Sequence, residues 1–298
     1  MVFLVRFLLW RKNMRDQHLR NLDTFEKAEI VDAYSVEEGL RSSENIIFEK
    51  YIQNGTDILD LGVGAGRTTP YLHAKAKRYV GIDYSAAMIA ACRRKFPDYE
   101  FKRMDVSNMS SLGNESFDVI VFSFNGLACL HPDEMRLRCL AECSRVLRAG
   151  GLFLFSLPNP RSLFIRPSRK DSSILQTLLG LLRSVKTNFH RVTARVTRSP
   201  FWRGSGYQWG EAHGGLHMFQ SVPEQVAVEL IRFGFDLLAV CHEDAPKLHS
   251  PYISRWYDYA FCKRRPSTVY NPGNIGDRIS AINESYHQRR RSGLQRSG

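Results

Sequence analysis

The stretch that decides the fold is residues 57–69, "DILDLGVGAGRTT". Ile58, Leu59 and Leu61 around Asp60 read as a short buried strand. The glycines that follow read as a turn opening a helix that carries Tyr71 and Leu72. Glycines at such a turn let backbone N–H groups approach a ligand, and the helix start adds a partial positive charge. The pattern is that of a nucleotide-binding turn. A nicotinamide or flavin dinucleotide fingerprint has G-x-G-x-x-G after its strand. Here Gly62, Gly64 and Gly66 give G-x-G-x-G, and Arg67 stands where the third glycine would fall. The turn alone excludes little, so the rest of the chain has to decide.

Strands and helices alternate outward from this turn. "NIIFEKYI" has helical apolar spacing. "RYVGID", "YEFKRMDV", "FDVIVFSF" and "GGLFLFSL" read as further strands, with helices at "SAAMIAACRRKF" and "DEMRLRCLAECSRVL". Runs such as Val119–Phe122 and Leu152–Phe155 are apolar on both faces, as a covered parallel strand requires. Repeated strand–helix units predict a doubly wound, Rossmann-like α/β sheet whose ligands sit at the carboxyl ends of the strands. Late in the chain a helix at "PEQVAVELIRFG" and strands at "DLLAVCHE" and "SRWYDYAFCKRR" complete it.

The 298 residues are 43% hydrophobic, enough for a sizeable core, and carry a net charge of +12. Much of that charge is local. Ten Lys/Arg fall between Arg161 and Trp209 against a single acid, Asp171, and Ile174, Leu178, Leu182 and Val185 share one helical face. This segment reads as a basic helical lid inserted over a cleft, with its charges solvated. Six scattered cysteines without a C-x-x-C pair suggest reduced thiols, a cytoplasmic setting and no metal site. "MVFLVRFLLWRK" is too short to span a bilayer and lacks a signal peptide's basic region and cleavage site; it reads as an N-terminal arm, with peripheral membrane contact the alternative. The expected organisation is an arm and covering helix over 1–45, a core over 46–160, a basic insertion over 161–215, completion of the sheet over 216–265 and a mobile basic tail over 266–298.

Acids recur near the ends of the first three strands: Asp60, Asp83 in "VGIDYS" and Asp105 in "FKRMDV". An acid after the second strand can accept both ribose hydroxyls, and one after the third can accept from an adenine amine. Met88, one turn into the following helix, is placed to pack on an adenine face. With these residues the chain resembles the class I S-adenosylmethionine-dependent methyltransferases. The resemblance rests on "DILDLGVGAGRTTPYL", "VGIDYSAAMIAACRRKFP", "FKRMDV", "FDVIVFSFNGLACL" and "AECSRVLRAGGLFLFSLPNP", in that family's order over about residues 28–160. It implies a mostly parallel sheet closed by a C-terminal antiparallel strand, with S-adenosylmethionine as cofactor. By resemblance, Asp60 and the Gly62, Gly64, Gly66 turn would hold the methionine part. Asp83 would bind ribose, Tyr84 and Met88 would flank adenine, and Asp105 with Val106 would meet its edge. Phe122 and Ser123 would line the donor side, and Tyr34 would cover the sulfonium.

The acceptor is less legible. After the fourth strand the chain has "FSFNGL" where adenine-methylating enzymes typically carry Asn/Asp-Pro-Pro-aromatic, and no cysteine follows a proline as an RNA cytosine-C5 nucleophile would. Those absences favour a small-molecule or glycan acceptor over nucleic acid, and the segments resemble a bacterial subgroup of small-molecule and glycan type. In "GYQWGEAHGGLHMF" histidine is suited to take a proton from an acceptor hydroxyl at neutral pH. His217, and then His213, are the candidate bases for O-methylation; N-methylation would need little base. The competing readings are methylation of a protein or nucleic acid through the basic insertion, a different nucleotide-dependent oxidoreductase, and a non-catalytic cofactor-binding scaffold.

Overall fold

The computed structural model describes residues 17–163, 192–193, 196–209, 216–243, 252 and 254–265. A seven-stranded sheet forms from β1 (Thr56–Leu61), β2 (Ala76–Asp83), β3 (Glu100–Arg103), β4 (Phe117–Phe122), β5 (Leu147–Pro158), β8 (Phe235–His242) and β9 (Trp256–Lys263), in the order β3-β2-β1-β4-β5-β9-β8. Strands β1 to β5 pair in parallel, and β9 runs antiparallel to both β5 and β8. Helices cover both faces, so the central strands are dry on both sides: Ile58, Leu59, Ile120, Val121, Phe153 and Leu154 have no exposed surface. The expected doubly wound, mostly parallel sheet with a late antiparallel strand is present.

Local chemistry fixes where the helices begin. Ser85 caps the helix Ala86–Lys95 by accepting the Met88 N–H at 3.1 Å. Glu26, from the helical segment over 17–26, accepts the next two exposed donors, Ala86 N–H at 2.7 Å and Ala87 N–H at 3.2 Å. The N-terminal segment is thereby docked onto the helix that follows β2.

Gly62, Gly64 and Gly66 all take left-handed φ, +57°, +57° and +87°, which explains their spacing. At Gly62 absence of a side chain matters as well, because a Cβ there would meet the Phe122 ring at 2.7 Å. Gly126 guards the same ring from the turn after β4, where a Cβ would lie 1.8 Å from Phe122 Cε2. Phe122 is therefore held between two glycines. We expect Gly126→Ala to cost about 2 kcal/mol of unfolding free energy by displacing that ring, with Phe122→Leu in the same chain recovering part of it. Chemical denaturation of the two variants measures both.

Within the expected insertion over 161–215, β6 (Ser205–Trp209) is a strand paired antiparallel with β7 (His217–Ser221) in a separate two-stranded sheet. The expected lid helix "SSILQTLLGLLRSVK", the first sixteen residues of the expected arm and covering helix over 1–45, and the tail over 266–298 lie outside the described residues. Among the described residues no helix is long and apolar enough to cross a membrane.

Candidate active site

A cleft opens at the carboxyl ends of β1, β2 and β4. That is the place where doubly wound sheets bind ligands. Tyr34, Gly62, Gly64, Asp83, Tyr84, Met88, Asp105, Val106, Phe122 and Ser123, ten of the residues singled out in the sequence, all line it.

Asp83, the last residue of β2, organises the floor. Its Oδ2 accepts the Gly64 N–H at 2.9 Å and its Oδ1 accepts the Ser85 N–H at 2.9 Å. The carboxylate thus ties the glycine turn to the next helix while keeping lone pairs toward the cleft. Burial pushes its pKa up to about 6, against the pull of those N–H donors. Asp105 is held in a similar way, with Oδ1 accepting the Ser107 N–H at 2.8 Å. Met88 is buried beneath the cleft, and the Tyr84 ring is stacked on His18 with centroids 5.7 Å apart. Burial raises the Tyr34 and Tyr84 hydroxyls above their ordinary range, so both stay protonated.

Two of the expected cofactor contacts lie elsewhere. Asp60 is fully buried behind the turn, where Oδ2 accepts from Tyr79 OH at 2.9 Å and from Thr68 Oγ1 at 3.2 Å. Burial raises its pKa to about 7, and it braces the strand instead of lining the cleft. Gly66 faces inward, toward the Phe96 ring and Thr69, where a Cβ would meet Phe96 at 2.6 Å.

His217 does not line the cleft either. The β6–β7 register, with Trp209 opposite His217, stacks its ring near Tyr207, Trp209 and His131 at 5.5, 5.1 and 4.9 Å. It sits one layer behind the cleft wall, and burial lowers its pKa to about 4. The lowered pKa keeps the ring neutral within this aromatic cluster. His213 and the neighbouring Glu211 lie outside the described residues.

The sequence reading passed over several residues that line the cleft. His18 and Phe25 come from the N-terminal segment, and Phe124, Asn125, Gly126 and Leu130 come from the turn after β4. Arg67, noticed only as a missing glycine, donates to both Glu44 carboxylate oxygens, at 2.7 and 2.5 Å, and to the Gly39 carbonyl at 2.9 Å. That clamp holds the segment bearing Tyr34 and Glu37 across the opening.

Residues 58–151 match a protein-family model described as a methyltransferase domain. A Mycolicibacterium smegmatis protein named "Probable S-adenosylmethionine-dependent methyltransferase" is 33% identical over 105 residues, 35% of this chain and 39% of that relative. The trans-aconitate 2-methyltransferase of Escherichia coli O7:K1 is 37% identical over 110 residues, 36% of this chain and 41% of that relative. The chain thus spans about two fifths of the length of these curated relatives. Among solved structures, an S-adenosylmethionine-dependent methyltransferase from Mesorhizobium loti covers 74% of this chain and 98% of its own, with TM-score 0.51 and 20% identity. The CcbJ methyltransferase from Streptomyces caelestis covers 81% and 98%, with TM-score 0.53 and 16% identity. Those two likenesses concern the fold, while the family model spans residues 58–151, which carry most of the cleft lining. Residues 58–151 thus match a methyltransferase domain, on a fold shared with S-adenosylmethionine-dependent methyltransferases.

Proposed function

We propose that the chain transfers a methyl group from S-adenosylmethionine to a small-molecule or glycan acceptor. The observation that carries this reading is the Asp83 carboxylate, buried, oriented by two backbone N–H groups and lining a cleft at the carboxyl ends of the strands. The residues present fit that cofactor. Asp83 would accept the ribose hydroxyls, Tyr84, Met88 and His18 would flank the adenine, and Asp105 with Val106 would meet its edge. The Gly62–Gly64 turn would leave room for the methionine part, and Tyr34 would cover the donor side opposite Phe122 and Ser123. When bound, the cofactor supplies an electrophilic methyl group on a positively charged sulfur. The protein's part is to hold donor and acceptor in line and keep bulk water away, which is where most of the rate gain arises when no strong base is needed. The aromatic and aliphatic walls at Phe25, Phe122, Phe124 and Leu130 serve that exclusion.

The likeness to the trans-aconitate enzyme supports a small acceptor. The six cysteines, all unbridged, support a cytoplasmic setting. The test is to supply S-adenosyl-[methyl-³H]methionine with a whole-cell extract and separate the products by ultrafiltration. Label in the small-molecule and released-glycan fraction is the expected result. Label confined to RNA, DNA or protein would shift the reading to a macromolecular acceptor recruited by the basic segment, and binding without any transfer would favour a scaffold.

A further inference from the structure

Asn125 lines the cleft, is 4% exposed, and has neither carboxamide atom hydrogen-bonded among the described residues. A buried amide with both ends unmet is costly, and such groups are rare unless function keeps them. The fold makes no demand on this side chain. Its turn is held by main chain and by neighbours: the Asn125 carbonyl accepts the Cys129 N–H at 2.9 Å, and the Phe124 carbonyl accepts Ser156 Oγ at 2.7 Å. Phe124 takes a left-handed φ of +57°, a conformation that costs free energy for a bulky residue and that delivers Asn125 to the cleft wall. Its ring is kept in place by stacking on Trp256 at 5.4 Å and by the Arg41 guanidinium 3.5 Å from its centroid. Two residues earlier in the same cleft lining, Ser123 Oγ is likewise buried and without a hydrogen-bond partner among the described residues.

We propose that the Asn125 carboxamide, unbonded at both ends in the cleft wall, holds the acceptor, and that the acceptor atom is an uncharged hydroxyl. This rests on the methyl-transfer reading above. Counting donors and acceptors makes the distinction. A hydroxyl can accept from Asn125 Nδ2–H with one lone pair, donate its proton to Oδ1, and keep a second lone pair for attack. A neutral amine can donate to Oδ1, but it has a single lone pair, so accepting from Nδ2–H as well would remove its nucleophile, and one end of the amide would stay unmet. A carboxylate would bond Nδ2–H but set its negative charge against Oδ1. The count holds for either orientation of the amide. Phe122, Phe124, Cys129 and Leu130, which line the cleft from the same stretch of chain, are uncharged, and burial raises the Cys129 thiol to about 12, which keeps it protonated. In the transfer, the acceptor oxygen forms the new bond to the methyl carbon while the carbon–sulfur bond breaks with its pair going to sulfur. The hydroxyl proton, oriented by Oδ1, then leaves to solvent water at the cleft mouth.

Asn125→Leu tests this with three readouts. Removing an unmet buried amide should raise the melting temperature of the ligand-free protein by about 2–4 °C. S-adenosylhomocysteine affinity should stay within about twofold, and label transfer from S-adenosyl-[methyl-³H]methionine to the small-molecule fraction of a cell extract should fall by about a hundredfold. Asn125→Ala, which adds no bulk, should give the same loss of transfer. The wild-type product should be a methyl ether, stable to mild alkali and not retained on a cation exchanger. A lower melting temperature, a tenfold loss of S-adenosylhomocysteine affinity or undiminished transfer in the variants would overturn the role of Asn125. Label released by alkali as methanol, or retained as an amine, would overturn the hydroxyl. Failure of the underlying reading looks different: the wild-type protein would then bind no S-adenosylhomocysteine at all.

Discussion

Asp83→Ala is expected to weaken S-adenosylhomocysteine binding by about 3 kcal/mol, on the order of a hundredfold. The carboxylate would accept two ribose hydroxyls, and it also fixes the Gly64 and Ser85 N–H groups that shape the turn. Removing it loses the direct bonds and loosens the floor beneath them. The same residue predicts a pH dependence. Its pKa in the free protein is raised by burial to about 6, so ligand that bonds the ionised form binds fully above that value and progressively less below it. The sign for folding is the reverse. A raised carboxyl pKa contributes stability below the unfolded value, near 3.8, and that contribution is lost as pH rises through about 6. The ionised carboxylate that the cofactor needs is therefore the form that the empty fold tolerates less well. Asp83→Asn should leave an affinity that no longer changes between pH 5 and 7, as calorimetry across that range would show. An unchanged pH profile in Asp83→Asn would assign the titration to another group.

Arg136→Ala should give the largest loss of stability, about 3–5 kcal/mol. The guanidinium is 2% exposed and bonds both oxygens of Glu229, Oδ1 of Asp133 and the face of Phe219, whose centroid is 3.8 Å away. It joins the helix Asp133–Val146 to the helix Pro223–Ile231 and to β7. Truncation leaves two carboxylates facing each other in a half-dry interface without their cation. The melting temperature should fall by about 10 °C, while S-adenosylhomocysteine affinity measured at low temperature stays within about twofold because the cleft residues are untouched. Replacing Arg136 by Met and Glu229 by Leu together should recover most of the loss, since a well-packed apolar pair substitutes for a buried ion pair. A drop of only a degree or two in Arg136→Ala would mean that the pair is solvated.

What could be read from the sequence was what local spacing encodes. The glycine turn, the acid ending β2 and the doubly apolar strands each follow from a few consecutive residues, and Asp83, Tyr84 and Met88 came out together because one strand–helix unit carries them. The misplaced residues depend on contacts between distant segments. Asp60 sits beside the turn in sequence, but β1 directs its side chain to Tyr79 and Thr68. His217 looked like a base in a flexible glycine-rich stretch, yet the hairpin with residues 205–209 turns its ring to Tyr207 and Trp209. The pairing of residues 205–209 with β7 was itself hidden, because "SGYQW" contains a glycine and its partner strand is not adjacent in sequence. Asn125 was in plain view in "FSFNGL". What singles it out is burial without a bonding partner, and no sequence pattern reports that.

The most direct test is calorimetric titration of the full-length protein with S-adenosylhomocysteine and, separately, with NADH. The cleft geometry predicts one S-adenosylhomocysteine bound per chain and no heat from NADH. Heat from NADH with none from S-adenosylhomocysteine would contradict the account at its centre, because it would assign the turn at residues 57–69 to a dinucleotide.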